Sequence, residues 1–111
     1  TNRVFDELTE WIIDSLAHPI SLTQLEQRSG YSRRTLQKLF QARFACGPIQ
    51  WVRQQRLERA HQALLAARSD ETVSTIARRF GFGSLAVFSR EYTRAYGANP
   101  SIVLRQARQI F

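Results

Sequence analysis

The sequence predicts an all-α protein of seven helices, and three observations carry that prediction. Apolar residues recur at helical spacing along the whole chain, with no strand-type alternation. Serine, threonine and asparagine caps, prolines and glycines fall at the borders of the periodic segments. The pattern is also stated twice, 51 to 52 residues apart. Leu22, Leu25, Arg28, Gly30 and Tyr31 return as Val73, Ile76, Arg79, Gly81 and Phe82. Leu36, Phe40, Phe44, Pro48, Trp51, Arg53, Gln54 and Arg56 return as Phe88, Tyr92, Tyr96, Pro100, Val103, Arg105, Gln106 and Arg108, with one extra residue near Gly83.

Each element follows from local chemistry. Val4, Phe5, Leu8, Trp11, Ile12 and Leu16 line one face of a helix over residues 3–17, and Pro19 blocks its continuation. Ser21 and Gln24 form a capping box for a short helix ending before Gly30, whose missing Cβ suits a left-handed turn. Ser32 caps the next helix, which runs to about Phe44 with Leu36, Leu39, Phe40 and Phe44 inward. Gly47 and Pro48 separate it from a long helix over 48–67, roughly 30 Å at the helical rise. The polar stretch 68–72 is the only clear loop between the copies. Thr72 then caps a short helix through Phe80, Gly81 turns the chain, Ser84 caps a helix to about Tyr96, and Asn99-Pro100 opens the last. The expected division is 1–47, a linker helix 48–67, and 68–111.

The 43 % apolar content is enough for a core at this length. The longest strictly apolar run, Ala63 to Ala67, is far short of a membrane span. The acidic first residues do not resemble a signal peptide, and a single Cys46 fits a reducing cytoplasm. The chain has no methionine, which fits either a piece of a longer protein or loss of an initiator residue.

Charge is uneven. Residues 1–27 hold Arg3 against Asp6, Glu7, Glu10, Asp14 and Glu26, while the remainder holds fifteen bases against four acids, for +7 overall. Fifteen of the sixteen bases are arginine, whose planar fork of donors matches phosphate and the guanine edge. A short helix, a glycine turn and a second helix, twice in one basic chain, is the pattern of a nucleic-acid-binding helix-turn-helix in a homeodomain-like fold.

In that motif the second helix presents its first two turns to base edges. In the first copy the positions left over by the core are Arg33, Arg34, Gln37, Lys38 and Gln41, of which Arg34, Gln37 and Lys38 share a face. Arginine and lysine suit guanine O6 and N7, and glutamine suits adenine N6 and N7. The matching positions in the second copy are Leu85, Ala86, Ser89 and Arg90, a face much poorer in donors. Leu85 and Ala86 suit thymine methyl groups, although Leu85 is also in phase with Phe88 and Tyr92 and so open to a core role. Phosphate contacts are expected from Arg53, Arg56, Arg94 and Arg105, with Arg78 and Arg108 as further clamps, and from the helix starts at Ser21, Ser32, Thr72 and Ser84. Arg28 and Arg79 fit internal ion pairs equally well. His18 and His61 have no ligand partners nearby and no carboxylate pair lies in an apolar context, so neither a metal site nor a catalytic site is expected, and no cofactor.

The run 29–40 (Ser-Gly-Tyr-Ser-Arg-Arg-Thr-Leu-Gln-Lys-Leu-Phe) carries a further resemblance. With it go Gly47-Pro48, Arg56-Leu57, Ile76-Ala77, Gly81-Phe82, Phe88-Ser89-Arg90, Tyr92, Gly97 and Pro100. Together they resemble the AraC/XylS family of bacterial transcription regulators over about residues 5–108. The resemblance implies two helix-turn-helix subdomains joined by a linker helix, with one helix of each in adjacent major grooves. It implies base contacts at Arg34, Gln37, Lys38, Ala86, Ser89 and Arg90, and departs from polar readers at Leu85 and Ala86. It also implies a cytoplasmic activator with double-stranded DNA and RNA polymerase as partners, usually the C-terminal part of a longer regulator with a separate effector or dimerisation domain. The rival readings are a non-specific nucleic-acid or nucleoid binder and a helical protein-interaction module.

Overall fold

The computed structural model describes residues 2–110, and the side chains of 2–109. Thr1 and Phe111, the outermost residues of the expected subdomains, lie outside the described residues. Seven helices follow one another: α1 (Arg3–Asp14), α2 (Leu22–Ser29), α3 (Arg33–Phe44), α4 (Pro48–Leu65), α5 (Val73–Arg79), α6 (Leu85–Tyr96) and α7 (Pro100–Ile110). No strand occurs among the described residues. The chain divides into two compact units, Thr1–Gln55 and Arg56–Phe111, so α4 contributes to both.

The first unit packs α1 on α2 and α2 on α3. Its core buries Phe5, Leu8, Ile12, Leu25, Leu36, Phe40, Trp51 and Val52. Phe5 meets Phe40 edge-on at 4.8 Å, and Phe44 stacks on Trp51 at 4.6 Å, geometries that favour opposed ring quadrupoles. Each such side chain contributes roughly 1.5–3 kcal/mol on leaving water. Cys46 is a buried free thiol in this core.

The second unit packs α5, α6 and α7 together around Ala60, Leu64, Ile76, Phe88, Tyr92 and Leu104. The repeat extends further than its helix-turn-helix. Phe5, Leu8 and Ile12 of α1 are answered 52 residues on by Leu57, Ala60 and Leu64, so the second half of α4 serves this core as α1 serves the first. Tyr92 is fully buried, and its hydroxyl shares a 2.7 Å hydrogen bond with His61 Nδ1. His61 in turn stacks on Tyr96 at 4.0 Å.

Two helices stop earlier than their apolar spacing suggests. At the end of α1 the Ser15 N–H bonds the carbonyl of Ile12, a tighter turn that still buries Leu16. At the end of α4 the Ala67 N–H reaches Leu64 only at 3.4 Å, although Ala67 remains buried. Burial continued past the hydrogen-bonded helix in both places, and periodicity reports burial.

Three of the turns use glycine at positive φ, whereas α3 ends on Ala45 at φ 59°. A Cβ in the left-handed region costs roughly 1–2 kcal/mol. Ala45→Gly should therefore raise stability by up to about 1 kcal/mol in urea denaturation. At Gly30 (φ 77°) a Cβ would meet nothing within 4 Å, so Gly30→Ala should lose about the same amount through its backbone alone. Shifts of the same sign in the two variants would refute this account.

Burial, with the charge of Tyr96 second, pushes the Tyr92 phenol up to about 12. Its neutral form is the one the fold holds, so the contribution is complete below pH 10 and disappears as pH rises from 10 to about 12. Stability measured across that window should fall more steeply in the wild type than in Tyr92→Phe. Identical alkaline limbs would show that Tyr92 does not carry the loss.

Candidate nucleic-acid interface

The first helix-turn-helix is bounded by local hydrogen bonds. The Ser21 hydroxyl accepts from the Gln24 N–H at 3.2 Å, and Gln24 Oε1 accepts from the Ser21 N–H at 2.8 Å, which starts α2. Gly30 closes it, its N–H reaching the carbonyl of Glu26 at 2.8 Å. The Ser32 hydroxyl accepts from the Thr35 N–H at 3.2 Å and starts α3. Across the turn Arg33 donates to Glu26 at 2.8 Å and to Thr23 at 3.4 Å. At the far end of α3, Arg43 donates to Asp6 at 2.6 Å.

With Leu36 and Phe40 fully buried, the opposite side of α3 is left to solvent. Arg34, Gln37, Lys38 and Gln41 are all exposed there. Gln37, Lys38, Gln41 and Ala42 line a shallow hollow of about 440 Å³. Arg33 is exposed too, with its Nε engaged by Glu26.

The second helix-turn-helix repeats the plan with a longer turn. Thr72 caps α5 by accepting from the Thr75 N–H at 3.1 Å, and Ser84 caps α6 by accepting from the Val87 N–H at 3.3 Å. Between them lies Gly81 at φ 90°, and Phe82 folds into the core. Arg56 donates to the carbonyl of Phe80 at 3.0 Å. Desolvation lowers the pKa of this half-buried guanidinium. Its repeat partner Arg108 is half-buried as well, with a buried Nε. Arg79 pairs with Glu71 at 3.4 Å, and Arg28 lies over the Trp11 ring at 4.3 Å, so both equivalents have internal partners.

On α6, Phe88 and Tyr92 take the core, and Leu85 is 48 % exposed, which resolves its two possible roles in favour of the surface. Ala86 and Arg90 are exposed and Ser89 is half-buried. Val87 is exposed as well, an apolar residue on this helix that the sequence reading passed over. Arg53, Arg78, Arg94 and Arg105 are exposed. The four capping hydroxyls at Ser21, Ser32, Thr72 and Ser84 each accept from a backbone N–H of their own helix's first turn. Among the described residues no group of three His, Cys, Asp or Glu is placed to hold a metal, and no helix is long and apolar enough to cross a membrane.

Comparison with known proteins places this geometry. A family described as a helix-turn-helix domain matches residues 25–106. The putative transcriptional regulator YkgA of Escherichia coli is 38 % identical over 99 residues, 88 % of this chain and 40 % of that protein. The chain therefore spans well under half of that relative. The multiple antibiotic resistance protein MarA of Escherichia coli is 30 % identical over 93 residues, 84 % of this chain and 72 % of MarA. The crystal structure of the DNA-binding domain of AdpA, solved with a target DNA, superimposes with a TM-score of 0.85 at 26 % identity, covering 99 % of this chain and 96 % of that one. A probable AraC family transcriptional regulator of Rhodopseudomonas palustris superimposes with a TM-score of 0.80 at 30 % identity, covering 96 % of this chain and 99 % of that one. The chain belongs to the AraC/XylS family of helix-turn-helix proteins, a family of transcription regulators rather than enzymes.

Proposed function

We propose that the chain binds double-stranded DNA in a sequence-specific way, reading bases with α3 and α6 in adjacent major grooves, and so regulates transcription. The observation that carries this reading is the α3 surface. Arg34, Gln37 and Lys38, three directional hydrogen-bonding side chains, stand exposed at i, i+3 and i+4 on a helix whose other side is clamped by Leu36 and Phe40. The likeness to AdpA, whose domain was solved on its target DNA, supports it. Base contacts are assigned to Arg33, Arg34, Gln37, Lys38, Leu85, Ala86, Ser89 and Arg90, Arg33 acting through donors other than the Nε that meets Glu26. Phosphate contacts are assigned to Arg53, Arg94 and Arg105 and to the helix starts at Ser21, Ser32, Thr72 and Ser84. Arg56 is assigned with them, its Nη1 held on the carbonyl of Phe80.

The functional division follows the helices: a reader in 1–47, a spacer in 48–67 and a second reader in 68–111. Eighteen residues make α4 about 27 Å long, and readers in adjacent major grooves rest on the family resemblance. The greater length of YkgA supports a further domain for effector binding or dimerisation in the whole protein. Activation, a cytoplasmic address and RNA polymerase as partner rest on the family resemblance.

Selection of bound sites from a random DNA pool tests the reading directly. It should yield an asymmetric site of roughly 20 bp with two half-sites about 10 bp apart. Arg34→Ala should then relax preference at one or two positions of one half-site, at a cost of roughly 1–3 kcal/mol of discrimination. A pool that yields no consensus would leave only non-specific binding.

Salt separates the phosphate contacts from the base contacts. If about 6–10 phosphates are neutralised, log K should fall against log salt with a slope near −5 to −9. Arg94→Ala and Arg105→Ala should each weaken binding to all duplexes alike and reduce that slope by about one. A flat salt response would point to a protein partner.

A further inference from the structure

The two reader helices differ most in their first turn. In α3 the first three positions are Arg33, Arg34 and Thr35, all able to hydrogen-bond through their side chains. Fifty-two residues on, α6 begins Leu85, Ala86, Val87, none of which can. All three are exposed, Leu85 by 48 % and Val87 by 36 %. The core does not need them, because Phe88 and Tyr92 are fully buried behind. The one hydroxyl beside them, that of Ser84, accepts from the Val87 N–H at 3.3 Å. The next polar side chains on the helix are Ser89 and Arg90, a full turn later.

Resting on the DNA-binding reading above, we infer that the first turn of α6 recognises the C5 methyl group of a pyrimidine rather than a hydrogen-bond pattern, and so takes thymine and 5-methylcytosine alike at the position it meets. In the major groove thymine offers an O4 acceptor and a C5 methyl, and cytosine offers an N4 donor and a hydrogen at C5. A side chain that can bond O4 or N4 separates these bases. An apolar first turn cannot, and gains only from the methyl carbon, which 5-methylcytosine carries at the same place. Burial of one such carbon corresponds to about a fourfold change in affinity. The second half-site is then sensitive to cytosine methylation: a cytosine at the contacted position binds poorly until it is methylated.

The test uses the whole chain and its selected duplex in competition against a scrambled duplex of equal length. Each thymine of the second half-site is replaced in turn by deoxyuridine, which removes the methyl and keeps the pairing. At one or two positions this should weaken binding about fourfold. At those positions a C·G pair should bind as weakly as the uridine duplex, and a 5-methylcytosine·G pair should restore affinity. Leu85→Ala, at an exposed position, should flatten the difference while leaving thymines of the first half-site unaffected. Uridine tolerated throughout the second half-site, with preference over the scrambled duplex intact, would overturn the methyl inference and leave DNA reading standing. Failure of 5-methylcytosine to replace thymine at a uridine-sensitive position would overturn it too, since O4 would then be read. Absence of any preference over the scrambled duplex would overturn the parent reading and this one with it.

Discussion

The burial of paired side chains behind α3 and α6 is the constraint on which the rest of the molecule depends. Leu36 and Phe40 in α3, and Phe88 and Tyr92 in α6, are fully buried one turn apart. That fixes the rotation of each helix about its axis, and with it which residues face outward. Units of about 55 residues are close to the lower limit for a self-sufficient core. The chain meets that limit by using α4 twice. Trp51 and Val52 fill the first core, while Ala60 and Leu64 fill the second.

The two copies have kept their interiors alike and let their surfaces diverge. Leu25 and Ile76, Leu36 and Phe88, Phe40 and Tyr92, and Val52 and Leu104 occupy matching buried positions. Outside, Arg34 and Gln37 correspond to Ala86 and Ser89. Close packing keeps the buried positions to side chains that are largely apolar and fit their core, whereas an exposed helix face is free to change. One interior exchange brought a polar group with it: where the first unit has Phe40, the second has Tyr92, and His61 supplies the hydroxyl with its partner. A buried phenol without one would carry the desolvation cost of an unpaired hydroxyl.

Much of this was legible in the residues because it is set locally. The Ser21–Gln24 box, the Ser32, Thr72 and Ser84 caps, the glycine turns at Gly30 and Gly81 and the prolines opening α4 and α7 all lie within a few residues of what they control. The repeat then supplied the long-range order that single motifs cannot. What stayed hidden was set through space. Asn2 caps α1 and also accepts from the Tyr31 hydroxyl at 3.2 Å, a contact across 29 residues of sequence. Arg33 and Arg56 look like surface donors in sequence, yet find Glu26 and the carbonyl of Phe80. Ala45 takes a conformation that composition assigns to glycine. Leu85 has the phase of a core residue but sits at the first position of α6, where the helix has not yet come under cover.

The Arg33–Glu26 clasp also adjusts the strength of the local field. Glu26 is the only carboxylate between Asp14 and Glu58 in the sequence, and it stands on the helix that precedes α3. Held 2.8 Å from Arg33, it presents a nearly neutral dipole. Stripped of Arg33, it would present a bare negative charge to any polyanion drawn to α3. Arg33 thus acts as a built-in counterion. Its removal adds a repulsion as well as deleting a donor, and long-range repulsion of that kind is felt during approach, in the association rate, before any base is within reach.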